Sequence, residues 1–258
     1  IDIADMAGTK ASITNVRPNL IINATGYTAV DKAEDDRYEA EKINHVAIAN
    51  IANTCSEIGC WLVHISTDYV FSGNRDIYRE SDMPDPISYY GKHKLESENF
   101  LRSSNRDHLI IRPSVIFGNT GNNFYIWVRD SLKDNKEISV VTDQISNPTW
   151  SWSLSEAICK SILSNISGLF HYGGEEIISR YDFAVKIAKV HGFNTDRIIP
   201  IKTSDLNQKA KRPFFSALDN SKIKNIIDSI NPAVAPIVIS LKITKIPYAE
   251  VRTVVSID

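Results

Sequence analysis

Tyr90 and Lys94 stand four residues apart in the segment Tyr90-Gly91-Lys92-His93-Lys94, and on a helix that spacing places them on one face. An ammonium beside a phenol favours the ionised form. It draws a group of reference pKa about 10 towards proton transfer near neutral pH. Upstream, His64-Ile65-Ser66-Thr67-Asp68-Tyr69-Val70-Phe71 supplies hydroxyls that can hydrogen-bond a carbonyl oxygen. A phenol, an ammonium and a hydroxyl converging on one carbonyl make a keto-reductase site. The spacing alone is a weak signal, because such pairs on helix surfaces are usually solvated. Position strengthens it. Trp61-Leu62-Val63-His64-Ile65 reads as a buried parallel strand, so Ser66-Thr67-Asp68 falls at its carboxyl end, the edge where open α/β sheets bind ligands.

The elements that must position these groups alternate. Asn19 to Ala24 reads as a buried strand. Tyr38 to Cys55 carries Ala40, Ile43, Ala47 and Ile51 at helical spacing and reads as an amphipathic helix. Leu62 to Ile65, the helix Tyr89 to Leu101 and the strand His108 to Arg112, stopped by Pro113, follow. Strands separated by helices of this length imply crossovers and a parallel sheet covered on both faces. The fold class is α/β, a Rossmann-like doubly wound parallel sheet with a smaller C-terminal substrate-binding lobe. Within that lobe Asn123 to Leu132 reads as helix, Glu137 to Val141 as strand and Ser153 to Leu163 as helix. Gly168 to Tyr172 reads as strand, and Arg180 to His191 as a helix with Phe183, Ile187 and Val190 on one face. The expected division is a dinucleotide-binding part over 1–120, a mainly substrate-side part over 121–225 with returning sheet elements, and a tail, 226–258, of no assigned role. Ser221 to Ile230 reads as helix and Pro236 to Ile246 as strand.

Composition narrows the function classes. The 258 residues are 43% apolar and 23% charged, with 29 Lys and Arg against 31 Asp and Glu. That is an ordinary globular balance with no basic block, which argues against nucleic acid or an anionic membrane as partner. Cys55, Cys60 and Cys159 form no CxxC pair and match no zinc spacing, so neither a structural metal nor a disulfide scaffold is expected. The longest apolar stretches have strand length, and the expected compartment is a reducing cytoplasm.

With the residues in view, the chain is identified as resembling the dTDP-4-dehydrorhamnose reductases, which are extended short-chain dehydrogenases. Asn23-Ala24-Thr25-Gly26-Tyr27-Thr28-Ala29-Val30-Asp31-Lys32-Ala33-Glu34 resembles their NAA-x-TAVDKAE signature. In the same order follow HxSTDYVF at His64 to Phe71, YGxxK at Tyr90 to Lys94 and GxNF at Gly121 to Phe124. Val141 to Gln144 with Asn147 to Thr149 come next, then Lys211-Arg212-Pro213 with Ser216, Leu218 and Asp219. The resemblance runs from residue 1 to about 225.

It implies reduction of the C4 keto group of a nucleotide-activated 4-keto-6-deoxysugar, a dTDP-sugar, by NADPH or NADH, and admits a homodimer. Tyr90 would protonate the C4 oxygen, Lys94 would hold the nicotinamide ribose and lower the tyrosine pKa, and Thr67 would hydrogen-bond the carbonyl. Ala24, Thr25, Gly26 and Ser66, with Tyr90 and Lys94, would line the cofactor. Thr28, Val30, Thr67, Tyr69, Val115, Asn123 and Arg212 would face the nucleotide-sugar, with Arg212 on the diphosphate. Each has a plainer reading: Ala24 to Gly26 a tight turn, Tyr69 and Val30 packing, Arg212 a solvated charge, Asp31 and Glu34 a helix start. His64 reads as a core histidine, and Asn44 as either part of a proton relay or an ordinary helix position.

The chain departs from the family pattern twice. Where relatives read RTSWV it has Arg112-Pro113-Ser114-Val115-Ile116, without the aromatic platform for the sugar. No GxxGxxG or GxGxxG occurs, and Ile1-Asp2-Ile3-Ala4-Asp5 resembles the end of the family's third strand. A glycine-rich βαβ unit of about 30 or more residues is therefore expected upstream of Ile1, and without it the sheet would present an open apolar edge. The alternatives are a reductase lacking that unit, inactive as such, a non-catalytic binding subunit of the same fold, or a related epimerase or dehydratase.

Overall fold

The computed structural model describes residues 1–104 and 108–227 and the backbone strand 254–257. Helix α1 (Met6–Val16) leads into strand β1 (Leu20–Asn23). After β1 come α2 (Lys32–Asp35), α3 (Arg37–Glu41), a π-helical turn (Lys42–Val46) and α4 (Ala47–Ile58), which returns the chain to β2 (Trp61–Ile65). Helix α5 (Tyr89–Ser103) links β2 to β3 (His108–Pro113). Beyond lie β4 (Ile116–Phe117), α6 (Phe124–Lys133), β5 (Ile138–Val141), β6 (Ile145–Ser146), β7 (Thr149–Trp150) and α7 (Ser151–Leu163). Then follow β8 (Gly168–Tyr172), β9 (Ile178–Ser179), α8 (Arg180–His191), β10 (Ile198–Ile201), α9 (Ser221–Ile227) and β11 (Val254–Ile257).

The main sheet runs β11-β1-β2-β3-β8, and β1, β2, β3 and β8 are parallel. Successive side chains of a strand point to opposite faces, and both faces here are apolar. Ile21, Leu62 and Ile110 join Ile43, Ile48 and Ile51 of the α3–α4 segment on one side. Leu20, Val63, Leu109 and Ile111 join Leu154, Ile158 and Ile223 of α7 and α9 on the other. This double burial is why the strands read as continuous apolar runs. A third core, with Val128, Leu132, Val140, Ala184, Ile187 and Ile198, welds α6 and α8 to the β5–β10 pair. That lobe overhangs the carboxyl ends of β2 and β3.

Three expectations change. The outer edge of β1 is paired antiparallel with β11, Leu20 opposite Ile257 and Asn23 opposite Val254, so the edge is not open. The helix expected over 38–55 contains the π turn, and this turn presents Asn44 to the loop after β1; such turns recur at functional sites. On α8 the buried stripe is Ala184, Ile187 and Ala188, whereas Val190 is 82% exposed. Helix α8 packs on α6, β5, β9 and β10 through that stripe, and Val190 does not belong to it. The strand expected over 236–246 lies outside the described residues.

Candidate active site

Two elements meet at the centre of the site. Strand β2 ends at Ile65, and its chain continues through Ser66 and Thr67 into a 3-10 turn, Asp68–Val70, that Thr67 caps by accepting from the Tyr69 N–H at 3.1 Å. Helix α5 starts opposite, capped by Ser88, whose hydroxyl accepts from Gly91 N at 3.2 Å. The two approach so closely that a Cβ on Gly91 would lie 2.2 Å from the Tyr69 carbonyl oxygen. The glycine of the YGxxK motif is therefore a packing requirement, and it lets Tyr90 stand edge-on to Tyr69 with ring centroids 5.9 Å apart.

Lys94 sits one turn further along, buried. Its Nζ donates to the Ile65 carbonyl at 2.5 Å and lies 3.3 Å from His64 Nε2. The histidine tautomer follows from its partners. Asn23 Oδ1 accepts from Thr25, which leaves Asn23 Nδ2 to donate to His64 Nδ1 at 2.9 Å. Nε2 then carries the hydrogen and donates to Ser97 Oγ at 3.1 Å, and Ser97 donates on to the Lys94 carbonyl. The Lys94 ammonium thus faces an N–H and has one acceptor, Ile65 O, for three donors. Burial lowers its pKa to about 8, opposed by the charge of Glu98. His64 is the core histidine expected, held neutral by burial and by the Lys94 charge.

The Tyr90 phenol differs from the simple YxxxK expectation. Its pKa is raised: desolvation dominates, the Thr67 hydroxyl works the other way, and the charges on Asp68 and Tyr69 add to the rise. Lys94 is not among the groups that act on it, because its ammonium is turned towards the end of β2. Beneath lies a fully buried Arg112–Glu98 pair at 2.5 Å, with Ser66 Oγ donating to the same carboxylate and Arg112 Nη1 3.3 Å from His171 Nε2.

A cavity of about 430 Å³ opens over these groups. Of the residues singled out from sequence, Thr28, Val30, Ser66, Thr67, Tyr69, Tyr90, Val115 and Asn123 line it. Asn123 is also the cap of α6: its Oδ1 accepts from Ile126 N at 3.1 Å while its Nδ2 donates to Gly118 and Thr120 carbonyls. Val115 holds a left-handed backbone, φ 41°, unusual for a β-branched residue. It is pinned there by Thr149, whose N–H bonds the Ser114 and Val115 carbonyls. Ala24, Thr25 and Gly26 lie apart from the cavity at the end of β1, where a Cβ on Gly26 would come within 3.2 Å of Asn44 Oδ1. Asn44 clamps that loop, accepting from Tyr27 N at 2.8 Å and donating to Tyr27 O at 3.1 Å.

A second cavity, about 260 Å³, lies beyond Tyr69 and contains Arg212 among apolar and aromatic walls. Arg212 is not free there: its fork grips Asp31 at 2.9 and 2.7 Å and its Nη1 also reaches the Ala210 carbonyl. Two residues at the site were not singled out from sequence. Asp68 is buried, its pKa raised by desolvation, and accepts from Ser114, Ser216 and Thr67 hydroxyls at 3.0, 2.6 and 3.2 Å. Arg180 lines both cavities. Its only sequence signal is a cation on the first residue of a helix, against the dipole preference.

Residues 1–237 match the family model described as the RmlD substrate binding domain. The spore coat polysaccharide biosynthesis protein SpsK of Bacillus subtilis is 35% identical over 87% of this chain and 79% of its own. The dTDP-4-dehydrorhamnose reductase of Escherichia coli K12 is 32% identical over 86% and 78%. The chain belongs to the dTDP-4-dehydrorhamnose reductase family. Among solved structures, the family's Bacillus anthracis reductase, in complex with NADP, superposes with a TM-score of 0.84 at 34% identity, covering 87% of this chain and 80% of that one. The dTDP-glucose 4,6-dehydratase DesIV of Streptomyces venezuelae, at 16% identity and a TM-score of 0.76, shares the fold.

The nicotinamide end of an NAD(P) cofactor fits this site. Lys94 is a buried ammonium with donors to spare for ribose hydroxyls, and Tyr90, Thr67 and Ser66 wall the cavity beside it. The described residues hold no strand–glycine loop–helix unit for the pyrophosphate.

Proposed function

We propose that this chain carries the proton-transfer and substrate-side machinery of an NADPH-dependent reductase acting on the C4 keto group of a dTDP-4-keto-6-deoxysugar, in nucleotide-sugar biosynthesis. The observation that carries it is Tyr90 and Thr67 together on one wall of the cavity with the Lys94 ammonium behind them. NADPH, when bound, supplies the hydride; the NADP in the Bacillus anthracis relative favours the phosphorylated cofactor over NADH. The raised pKa keeps Tyr90 protonated at neutral pH, the state needed to give its proton to the C4 oxygen, whose alkoxide is a far stronger base. Thr67 turns its proton from Asp68 to the substrate oxygen. Asp68 retains the Ser114 and Ser216 hydroxyls and so loses little. Lys94 orients the nicotinamide ribose, and the sugar lies against Val115 while the base enters the cavity beyond Tyr69. Ala24, Thr25 and Gly26, ending β1, border the cofactor. A cytoplasmic setting and a homodimer belong to the same proposal; among the described residues no helix is long and apolar enough to cross a membrane.

Tyr90→Phe removes the proton and little else. In a version of the chain that carries a strand–glycine loop–helix unit ahead of Ile1, turnover, followed as NADPH oxidation with dTDP-4-keto-6-deoxymannose, should fall by about 10²–10⁴-fold, while calorimetry finds dTDP binding within about threefold, because the phenol does not carry the nucleotide contact. Activity of the variant within tenfold of the parent rules out Tyr90 as the acid.

A further inference from the structure

The two cavities share two residues, Tyr69 and Arg180. On the proposed reading that one nucleotide-sugar spans both, the sugar occupies the chamber at Tyr90. The base occupies the chamber walled by Phe124, Trp127, Val141 and Leu206, and the neck between them receives the diphosphate. The residue expected from sequence for that group is Arg212. Its guanidinium is already engaged by the Asp31 carboxylate in a bidentate pair, and its side chain is only 12% exposed.

Arg180 is placed differently. Its backbone N–H is held by the Gln144 carbonyl and its guanidinium lies 5.1 Å from the Phe124 ring, which fixes the side chain at the neck. Among the described residues no carboxylate lies within ion-pair distance of it. It is also the first residue of α8, directly after the Ser179 cap, where a helix presents its positive end and a cation is disfavoured. Its charge reaches the buried Asp68 only at longer range and its side chain hydrogen-bonds Tyr69; a guanidinium with no carboxylate bonded to it, at the positive end of a twelve-residue helix and between two chambers of a ligand cavity, is an arrangement that an anion completes.

We infer that Arg180 is the diphosphate-binding guanidinium of this protein and that Arg212 serves a different purpose. Arg212 ties the loop carrying Asp31 to the 209–213 segment, closing the outer wall of the base chamber. The ligand class is a nucleoside diphosphate or its sugar ester. Binding is read by the phosphates, so a nucleoside without them feels Arg180 little.

Calorimetry with dTDP and with thymidine on the full chain tests this. Arg180→Gln should weaken dTDP binding about tenfold or more, with thymidine binding changed less than about twofold, and should flatten the salt dependence of dTDP affinity. Arg180→Lys keeps the charge without the fork and should fall between. Arg212→Gln should lower the unfolding midpoint yet bind dTDP within about threefold of the parent at a temperature where it is folded. Parent-like dTDP affinity in Arg180→Gln overturns the inference while the reductase reading stands. So does equal weakening of dTDP and thymidine, or loss of dTDP binding in folded Arg212→Gln alone. A parent chain that binds no dTDP removes the reductase reading and this inference with it.

Discussion

At the scale of single residues, the site is governed by desolvation more than by the charge pair its spacing advertises. Lys94 and Tyr90 share a helix face, yet the ammonium contacts the end of β2 and burial raises the phenol. The lysine is the group whose charge changes near working pH. Its folded pKa of about 8 lies below the ordinary 10.5, so the ammonium is complete below pH 8 and is lost above it. Cofactor affinity should fall as pH rises through about 8, because the ribose loses a charged donor. Lys94→Arg should move that limb to higher pH while the acid side of the profile stays put. A basic limb unchanged in Lys94→Arg would assign it to another group. For folding the linkage runs the opposite way: between pH 8 and 10.5 the unfolded chain binds the extra proton, so the stability that the buried charge removes is regained as pH rises.

At the scale of elements, the decisive contact is the start of α5 against the 3-10 turn after β2. Gly91→Ala would drive a methyl into the Tyr69 carbonyl, a backbone atom that cannot rotate away. Overpacking of that kind costs about 1–3 kcal/mol, and the helix must shift to relieve it, carrying Tyr90 off the cavity wall. Urea denaturation should therefore show the loss of stability, and kcat should drop more than the nucleotide affinity does. A fully active Gly91→Ala would mean that the turn yields instead of the helix. The family motif around Arg212 also acts here through packing. Ser216 bonds the buried Asp68, and Leu218 packs with Val70, Phe71 and Tyr78.

At the scale of the whole molecule, two histidines are buried neutral at the heart of the sheet. His171 is lowered to about 3 by burial and by the neighbouring Arg112, and His64 lies well below its ordinary 6.5. Both folded values are below the unfolded one, so the unfolded chain takes up protons first. Their contribution is complete above pH 6.5 and is lost as pH falls towards about 3. Asp31 and Asp219, held low by Arg212 and by Ser221, add to the loss only below the carboxylate range, whereas Asp68, raised by burial, opposes it. Urea midpoints should decline between pH 6.5 and 4, and His171→Gln should make that decline shallower by roughly 1.4 kcal/mol per pH unit. An identical slope in the variant would show that His171 stays neutral in both states.

Strands and helices of the sheet were legible in the sequence because buried parallel strands are unbroken apolar runs, and Leu62 to Ile65 and His108 to Arg112 are two of them. The grouping of Thr67, Tyr90 and Lys94, the trio proposed for catalysis, was legible because they sit at fixed offsets from a strand end and along one helix. The two-residue strands β4, β6, β7 and β9 were not, since they are too short for any periodicity to register. The pairing of β1 with β11 joins segments more than 200 residues apart and has no local signature. Spacing also said nothing of which arginine meets which anion. Arg212 and Asp31 are 181 residues apart, and Arg180 reaches the neck only because α8 packs on α6 over the sheet. Local order follows from neighbouring residues and their burial pattern. Charge pairing, the direction of each pKa shift and the division of labour between Arg180 and Arg212 follow from distances that only the packed chain defines.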